Sequence, residues 1–504
     1  YAAGGGPRAM ASSGVADGVP VAAALDKEQF DADVELVGVV VEAKGTTAFM
    51  KKLRESLLHR PKVKAVWGDP SGDASRRLVL LSEEVSAAAT DEDLLAGLSQ
   101  ESVAWVRGQA TFVTAIRHTL KLGYDLLTAD QVLRQLLPPS IEAVPSGFEV
   151  AGHVAHLNLR DELLPYKTLI AQVILDKHSN LRTVVNKTAN IATKYRTFPM
   201  EILAGDPDMT VEQREHGAIF RFDFSAVYWN SRLQDEHSRL STLIMKDHWR
   251  DFPKPGAGRD RTCAREASEA ARQGPPVVAD LMAGVGPFAV PLAMQGAEVY
   301  ANDLNPESYR WLCENSKRNK VMKRLRRFNM DGRDFVAMLR GRCSAPEPFT
   351  EAVGTASIPL NFDHAIMNLP QTAIEFLDAF RGYLSPTSDP VALPMIHVYC
   401  FEKGHDTEED AVRSAIKRAE EALGGPLKRE EVQAHMVRDV APKKPMICLS
   451  FRLPYEIASA PPLPLGTSST STTNSAKREK PEGAEEAGAG DAQAPTKVAR
   501  TGSD

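Results

Sequence analysis

The sequence predicts an α/β protein: a Rossmann-like domain with a C-terminal β-hairpin, preceded by two smaller α+β domains. Three observations predict it. From Pro275 onward, strand-like and helix-like stretches alternate, the pattern of a mostly parallel sheet covered on both faces. Near the C terminus two strand-like runs, 433–440 and 446–453, flank a short turn at 441–445. Before Pro275 the elements are shorter and mixed, and Pro138, Pro139 and Pro145 divide them into two groups.

The totals suit this division. A chain of 504 residues is too long for one core. Hydrophobic content of 43% and charged content of 25% are ordinary for a globular protein, and no apolar run of 18 residues predicts a membrane span. The formal net charge of -6 argues against a chain coated in basic residues, but a local patch can still meet a nucleic acid. The five cysteines, Cys263, Cys313, Cys343, Cys400 and Cys448, are widely spaced with no C-x-x-C, which predicts free thiols and no zinc site.

In chain order, residues 1–25 are rich in Ala, Gly and Ser, as in a plain disordered tail or the remnant of an organelle transit peptide. The first unit, 26–140, reads as strands at 34–43, 62–67 and 77–81 with a helix at 47–58, and nothing in it looks catalytic. The second unit, 141–253, reads as a helix at 166–175 and strands at 182–186, 201–204 and 219–224. Residues 254–274, with Pro, Gly and many charges, read as an insertion or linker. The third unit, 275–456, has strands at 277–281, 298–302, near 328, 365–367 and 395–401, with helices at 288–294, 306–319, 375–383 and 411–423 between them. Residues 457–504 carry too few large apolar side chains to fold and are expected to form a disordered tail.

The densest chemistry lies at 277–293, VVADLMAGVGPFAVPLA. A strand ends at Asp280, and Gly284 and Gly286 form the turn into a helix opening near Pro287. Glycines there let a ligand approach the backbone. About 20 residues on, Asp303 ends the next strand, where an acid can accept ribose hydroxyls. The third strand ends in Asn329-Met330-Asp331-Gly332 and the fourth in Asn368-Leu369-Pro370. Four strand ends thus offer polar or glycine residues to one edge, a pattern that fits S-adenosylmethionine (SAM) better than NAD; the bland alternative is a set of helix caps and turns. An Asn at 368 can both donate and accept, which suits the amide-like edge of guanine. The run SKRNKVMKRLRRF (316–328) has seven cations and no acid, and reads equally as a phosphate track or a solvated helix face.

These residues resemble the eukaryotic and archaeal tRNA (guanine-37-N1)-methyltransferases. The likeness is carried by YRTFPMEILAG (195–205), FDFSAVYWNSRLQDEHSRL (222–240), DLMAGVGPFAVPLA (280–293), ANDLNPESYRWLCEN (301–315), NMDGRDF (329–335), IMNLPQTAIEFLDAF (366–380) and VRDVAPKKPMICLSFRLP (437–454). It spans roughly 26–454, more loosely in the first unit, which resembles the family's tRNA-elbow-recognising domain. The chain departs from the pattern in its longer 254–274 and 341–360 stretches, and its N-L-P-Q lacks the aromatic residue common in base aminomethyltransferases.

The resemblance implies a class I SAM-dependent methyltransferase acting on tRNA. It implies Glu236, Arg196, Asn368, Tyr228 and Arg232 as catalytic residues, and His237, Asp303, Leu304, Asp331, Gly332 and Asn368 at SAM, beside Asp280, Gly284 and Gly286 of the glycine turn. Guanine N1 must lose a proton before it can attack, while charge builds on O6. Glu236 is therefore expected to be the general base and Arg196 the O6 partner, with Tyr228 against the flipped base. No metal is expected, since an activated ring nitrogen can attack a sulfonium directly. The expected partner is tRNA, acted on by a monomer with no membrane association, in the cytoplasm and nucleus and/or the mitochondrial matrix. The reaction would be the first step of wybutosine synthesis on tRNA-Phe. Two rivals stand beside this reading: a tRNA aminocarboxypropyl transferase of the same pathway, and a non-catalytic RNA-binding module. A solvated arginine is the bland reading of Arg196, and a surface ion pair that of Arg232 and Glu236, four apart on a helix.

Overall fold

The computed structural model describes residues 25–141, 144, 147–188, 195, 197–251, 274–343, 360–384 and 393–461. Arg196, the 254–273 insertion, most of the 341–360 stretch, and the two expected tails at 1–24 and 462–504 lie outside the described residues.

The first sheet is antiparallel, in the order β2 (Val66–Gly68), β3 (Arg76–Leu80), β1 (Ala32–Glu42), β4 (Phe112–Leu122). Successive side chains of a strand point to opposite faces, and β1 feeds two cores in this way. Val37, Val39 and Val41 pack with Phe49, Leu53 and Val106, whereas Leu36 and Val40 pack with Leu78, Leu80 and Leu120. Three features differ from the sequence reading. Lys62 takes a positive φ of 62°, so pairing starts only at Val66. The first helix stops at Lys52 and gives way to a 3-10 turn, Arg54–Ser56. Strand β4 and the helix Gln100–Gly108 had no clear apolar pattern, because most of their side chains are partly or fully exposed.

The second sheet runs β5 (Glu149–Ala151), β6 (Val154–Leu157), β7 (Thr183–Lys187), β8 (Met200–Gly205), with the β6/β7 pair parallel. Its core also takes residues before the expected boundary at 140. The helix Ala129–Leu136, closed by a Thr128/Gln131 capping box, buries Val132 and Leu133 with Leu157, Ile170 and Val184. Phe30, from before β1, and Tyr124 join the same core.

A hairpin of β9 (Thr210–Glu215) and β10 (Ala218–Asp223) follows, turning through His216 and Gly217 at φ 46° and 86°. Its Val211, Phe220 and Phe222 share one core with Trp229, Leu240 and Ile244 and with Val278, Phe288 and Leu312 of the third unit. The expected boundary at 253 is thus a break in the chain's elements but not in its packing.

The third sheet has seven strands: β13 (Leu325–Phe328), β12 (Glu298–Asn302), β11 (Val277–Asp280), β14 (His364–Met367), β15 (Met395–Phe401), β17 (Lys444–Arg452) and β16 (Gln433–Ala441). The first five are parallel; β17 is antiparallel and closes the sheet as a hairpin with β16. The order of strands along the chain reverses between β11 and β14, the crevice where open α/β sheets bind ligands. Two differences concern its later part. The segment Ala373–Phe380 is a 3-10 helix. Folded structure also continues past 456: Ile457 and Ala458 are buried, and the Leu384 N–H donates to the Ala458 carbonyl at 2.9 Å.

Candidate active site

A cavity opens at the C-terminal ends of β11, β12, β13 and β14, walled on one side by these loops and on the other by the chain from Tyr228 to His237. The turn after β11 is the floor. Gly284 has a φ of 55°, and a Cβ built there meets nothing within 4 Å, so the space before it is open to a ligand. Gly286 has a φ of 102°, and a Cβ there would lie 2.9 Å from both Leu312 and Val290. One glycine is thus needed for approach, the other for strand–helix packing. The helix itself starts at Ala289, two residues beyond Pro287.

Asp303 is fixed by two backbone donors: the Gly284 N–H gives 2.8 Å to Oδ2, and the Asn305 N–H gives 2.8 Å to Oδ1. Burial pushes its carboxyl up to about 6, against the pull of these two N–H groups and Ser308. Asp331 caps the helix Gly332–Leu339 by accepting the Arg333 N–H at 2.9 Å. Asn302, fully buried, ties three strand-end loops together. Its Nδ2 donates to the Leu281 and Met330 carbonyls, and its Oδ1 accepts the Met330 N–H. Nothing in the sequence marked it, since an Asn inside a strand reads as a poor strand residue.

Asn368, at the end of β14, turns a buried Oδ1 toward no hydrogen-bond partner among the described residues. Leu304, Gly332, Tyr228 and His237 also line the cavity. The chemistry fits an adenosyl ligand: an open glycine turn, two fixed carboxylates, an unused amide acceptor, and apolar walls from Phe288, Phe376 and Met446.

Other expected site residues fall elsewhere. Asp280 does not line the cavity; it is fully buried, with no well-formed hydrogen bond among the described residues. Burial, with a smaller push from Asp303, raises its carboxyl to about 8, opposed by the Met282 N–H. Arg232, expected to be catalytic, is half-exposed, does not line the cavity and pairs with Glu149 at 3.1 Å; the bland alternative, an ion pair with Glu236, does not form either. Arg196 lies outside the described residues, but its neighbour Tyr195 is on the cavity wall.

Glu236 is buried, yet its carboxylate is not part of the cavity lining. Arg239 grips it with two hydrogen bonds, Nε to Oε2 at 2.6 Å and an Nη to Oε1 at 2.7 Å. The Tyr399 hydroxyl donates to Oε1 at 2.7 Å, and His435 Nε2 stands 3.4 Å from Oε2. Burial first, then the nearby Cys448 and Glu236, raise Tyr399 well above the ordinary phenol range, so it is a donor here. Its neighbour His237 does reach the cavity; its Nδ1 lies 3.0 Å from the buried Glu215 carboxylate.

The basic run 316–328 is not one helix face. It covers a helix end, a loop and edge strand β13. Arg318 pairs with Glu212, and Arg324 and Arg326 both pair with Glu298. Among the described residues there is no cluster fit to hold a metal, and no helix long and apolar enough to cross a membrane.

Comparison with known proteins extends the picture. Residues 129–208 match the TYW2 N-terminal domain, and residues 259–345 match the TRM5/TYW2 methyltransferase domain. A tRNA (guanine(37)-N(1))-methyltransferase of Phytophthora infestans is 44% identical over 86% of this chain and 93% of its own length. The one of Schizosaccharomyces pombe is 40% identical over 87% and 96%. Among solved structures, a complex of aTrm5 with tRNALeu covers 83% of this chain and all of its own, with a TM-score of 0.52 at 18% identity, a likeness of fold.

Proposed function

Given that the chain belongs to the tRNA (guanine(37)-N(1))-methyltransferase family, we propose that it transfers a methyl group from SAM to N1 of guanosine 37 in tRNA. The observation that carries the reading is the cavity at the strand ends, where Gly284, Asp303, Asp331 and Asn368 converge beneath Tyr228 and His237. SAM, when bound there, supplies an electrophilic methyl on a sulfonium.

The chain's own residues then have distinct tasks. Asp303 suits ribose hydroxyls, and the loop Asp331-Gly332 suits an adenine edge. Asn368 offers its unused Oδ1 to a base N–H. Tyr228, 46% exposed and 6.5 Å from Phe198 between ring centroids, offers a face on which a flipped base can stack. Glu236 is our general base, a role worth on the order of 10² to 10⁴ in rate. All its contacts are now internal, so reaching guanine requires the Arg239 grip to loosen. Arg239 is about one-third exposed, which gives that side chain room to turn outward. Arg196, next to the wall residue Tyr195, is our partner for the charge on O6. On tRNA-Phe this reaction would open wybutosine synthesis.

The test is methylation of unmodified tRNA transcripts with G or A at position 37, with nucleosides read by mass. Addition of one methyl to the G37 transcript alone is expected. Modification of the A37 transcript alone, or addition of an aminocarboxypropyl group, would overturn the reading.

A further inference from the structure

A second, shallower opening is lined by Phe198, Met200, Ile202, Met209 and Ser225. Ile202 in it is 42% exposed, and Tyr195 on the wall of the main cavity is exposed to the same degree. Phe198 links the two openings, with its ring centroid 6.5 Å from that of the cavity residue Tyr228. An exposed apolar patch next to a substrate cavity marks a contact surface. Phe198 is braced by His156 of β6, 6.4 Å away between ring centroids, which itself packs edge-on to Phe224 at 5.9 Å. In the β7/β8 register Lys187 stands opposite Met200, and its Nζ lies 4.0 Å from the Phe198 ring centroid. No acidic side chain among the described residues pairs with this ammonium, so an aromatic face stands in for a counter-ion.

A base turned out of a stacked loop leaves its neighbours with one face bare, and an aromatic ring beside the target pocket can cover it. Successive nucleotides of a stacked strand rise by about 3.4 Å. The 6.5 Å between the Tyr228 and Phe198 rings is about twice this, so the pair suits the bases of adjacent nucleotides splayed apart rather than stacked on each other. The phosphate joining two such nucleotides calls for a cation close by, and Lys187 supplies one at the edge of the same patch.

We propose that Phe198 and Lys187 form a subsite for one nucleotide adjoining guanosine 37. The neighbour's base stacks on Phe198 and displaces the Lys187 ammonium from the ring face onto a backbone phosphate. The proposal rests on the reading of Tyr228 as the platform for the flipped guanine. The subsite makes tRNA affinity depend on the presence of a neighbouring base but not on its identity, since every base has a π face.

The experiment measures binding of the full chain, Phe198→Leu and Lys187→Met to three tRNAs bearing G37: one intact, one abasic at the 5′ neighbour of guanosine 37, and one abasic at the 3′ neighbour. Stacking of one base on one aromatic side chain corresponds to about a tenfold change in Kd. Wild type is expected to bind one of the two abasic tRNAs about tenfold more weakly than the intact one, and Phe198→Leu to show less than about threefold of that loss. Equal losses in wild type and Phe198→Leu at both positions, or no loss in wild type at either, would overturn the proposal. Lys187→Met is expected to reduce the slope of log Kd against log salt by about 0.7–1, the loss of one phosphate contact. An unchanged slope overturns that contact, and if Phe198→Leu does not fold, this slope and the wild-type comparison decide. Methylation of the intact tRNA by wild type keeps the reading beneath the proposal when the subsite fails; its absence overturns both.

Discussion

The Tyr399 hydroxyl donates a 2.7 Å hydrogen bond to Glu236 Oε1, joining two residues 163 positions apart. Together with the two-pronged Arg239 contact it fixes the direction of a buried carboxylate on which the proposed chemistry depends. A hydrogen bond to a charged group contributes about 1.5–3 kcal/mol. Tyr399→Phe should therefore keep the fold, with a modest drop in melting temperature, and lower kcat by on the order of tenfold at little change in KM for tRNA. Steady-state kinetics on a G37 transcript check this; a change in KM alone would point to a role in binding.

Arg239 gives a different signature. Its removal leaves the Glu236 charge buried with only a phenol and a distant imidazole for company. Arg239→Met is expected to destabilise the protein by about 2–3 kcal/mol, less than for a fully buried pair because Arg239 is about one-third exposed. Adding Glu236→Gln should recover most of that loss. Denaturant melts of the two single variants and the double variant measure the coupling.

The two glycines after β11 should separate binding from folding. Gly286→Ala places a Cβ 2.9 Å from Leu312 and Val290 at a φ of 102°, so it is expected to lower the melting temperature clearly. Gly284→Ala meets nothing within 4 Å, and its φ of 55° costs only about 1–2 kcal/mol. Its methyl enters the cofactor space, so SAM binding should fall by at least about tenfold while the fold persists. Calorimetry and thermal melts on both variants test the contrast.

These contrasts also show what the sequence could and could not reveal. Regular alternation made β11, β12, β14 and β15 legible almost to the residue, because their side chains are buried on both faces. Strand β4 was hidden because Thr114, Arg117, Thr119 and Lys121 leave it without an apolar rhythm. In the site, Gly284, Asp303, Asp331 and Asn368 could be placed on one edge from strand spacing alone. The partners of Glu236 could not. The bland reading of R-x-x-x-E would pair it with Arg232, but Arg232 pairs with Glu149, and Arg239, three residues after Glu236, takes the carboxylate. Tyr399, His435 and Glu215 reach the site only through tertiary packing, which no local spacing encodes.

Asp280 predicts a pH dependence. Its folded-state carboxyl is raised from 3.8 to about 8 by burial. The folded chain therefore holds a proton that the unfolded chain has lost, and stability falls as pH rises from about 4 to about 8. Asp280→Asn should flatten that slope and raise the melting temperature of the ligand-free protein at pH 8.5, by on the order of 2–5 kcal/mol in stability. Melts across this range check the sign; a variant that is less stable at pH 8.5 would show that the carboxylate is charged and compensated.

The most direct test of the mechanism is the single-turnover methylation rate of a G37 transcript by wild type and by Glu236→Gln, both at saturating SAM. A base at this position predicts a fall of about 10² to 10⁴ in rate with tRNA and SAM affinities unchanged. A Glu236→Gln rate within about threefold of wild type would contradict it.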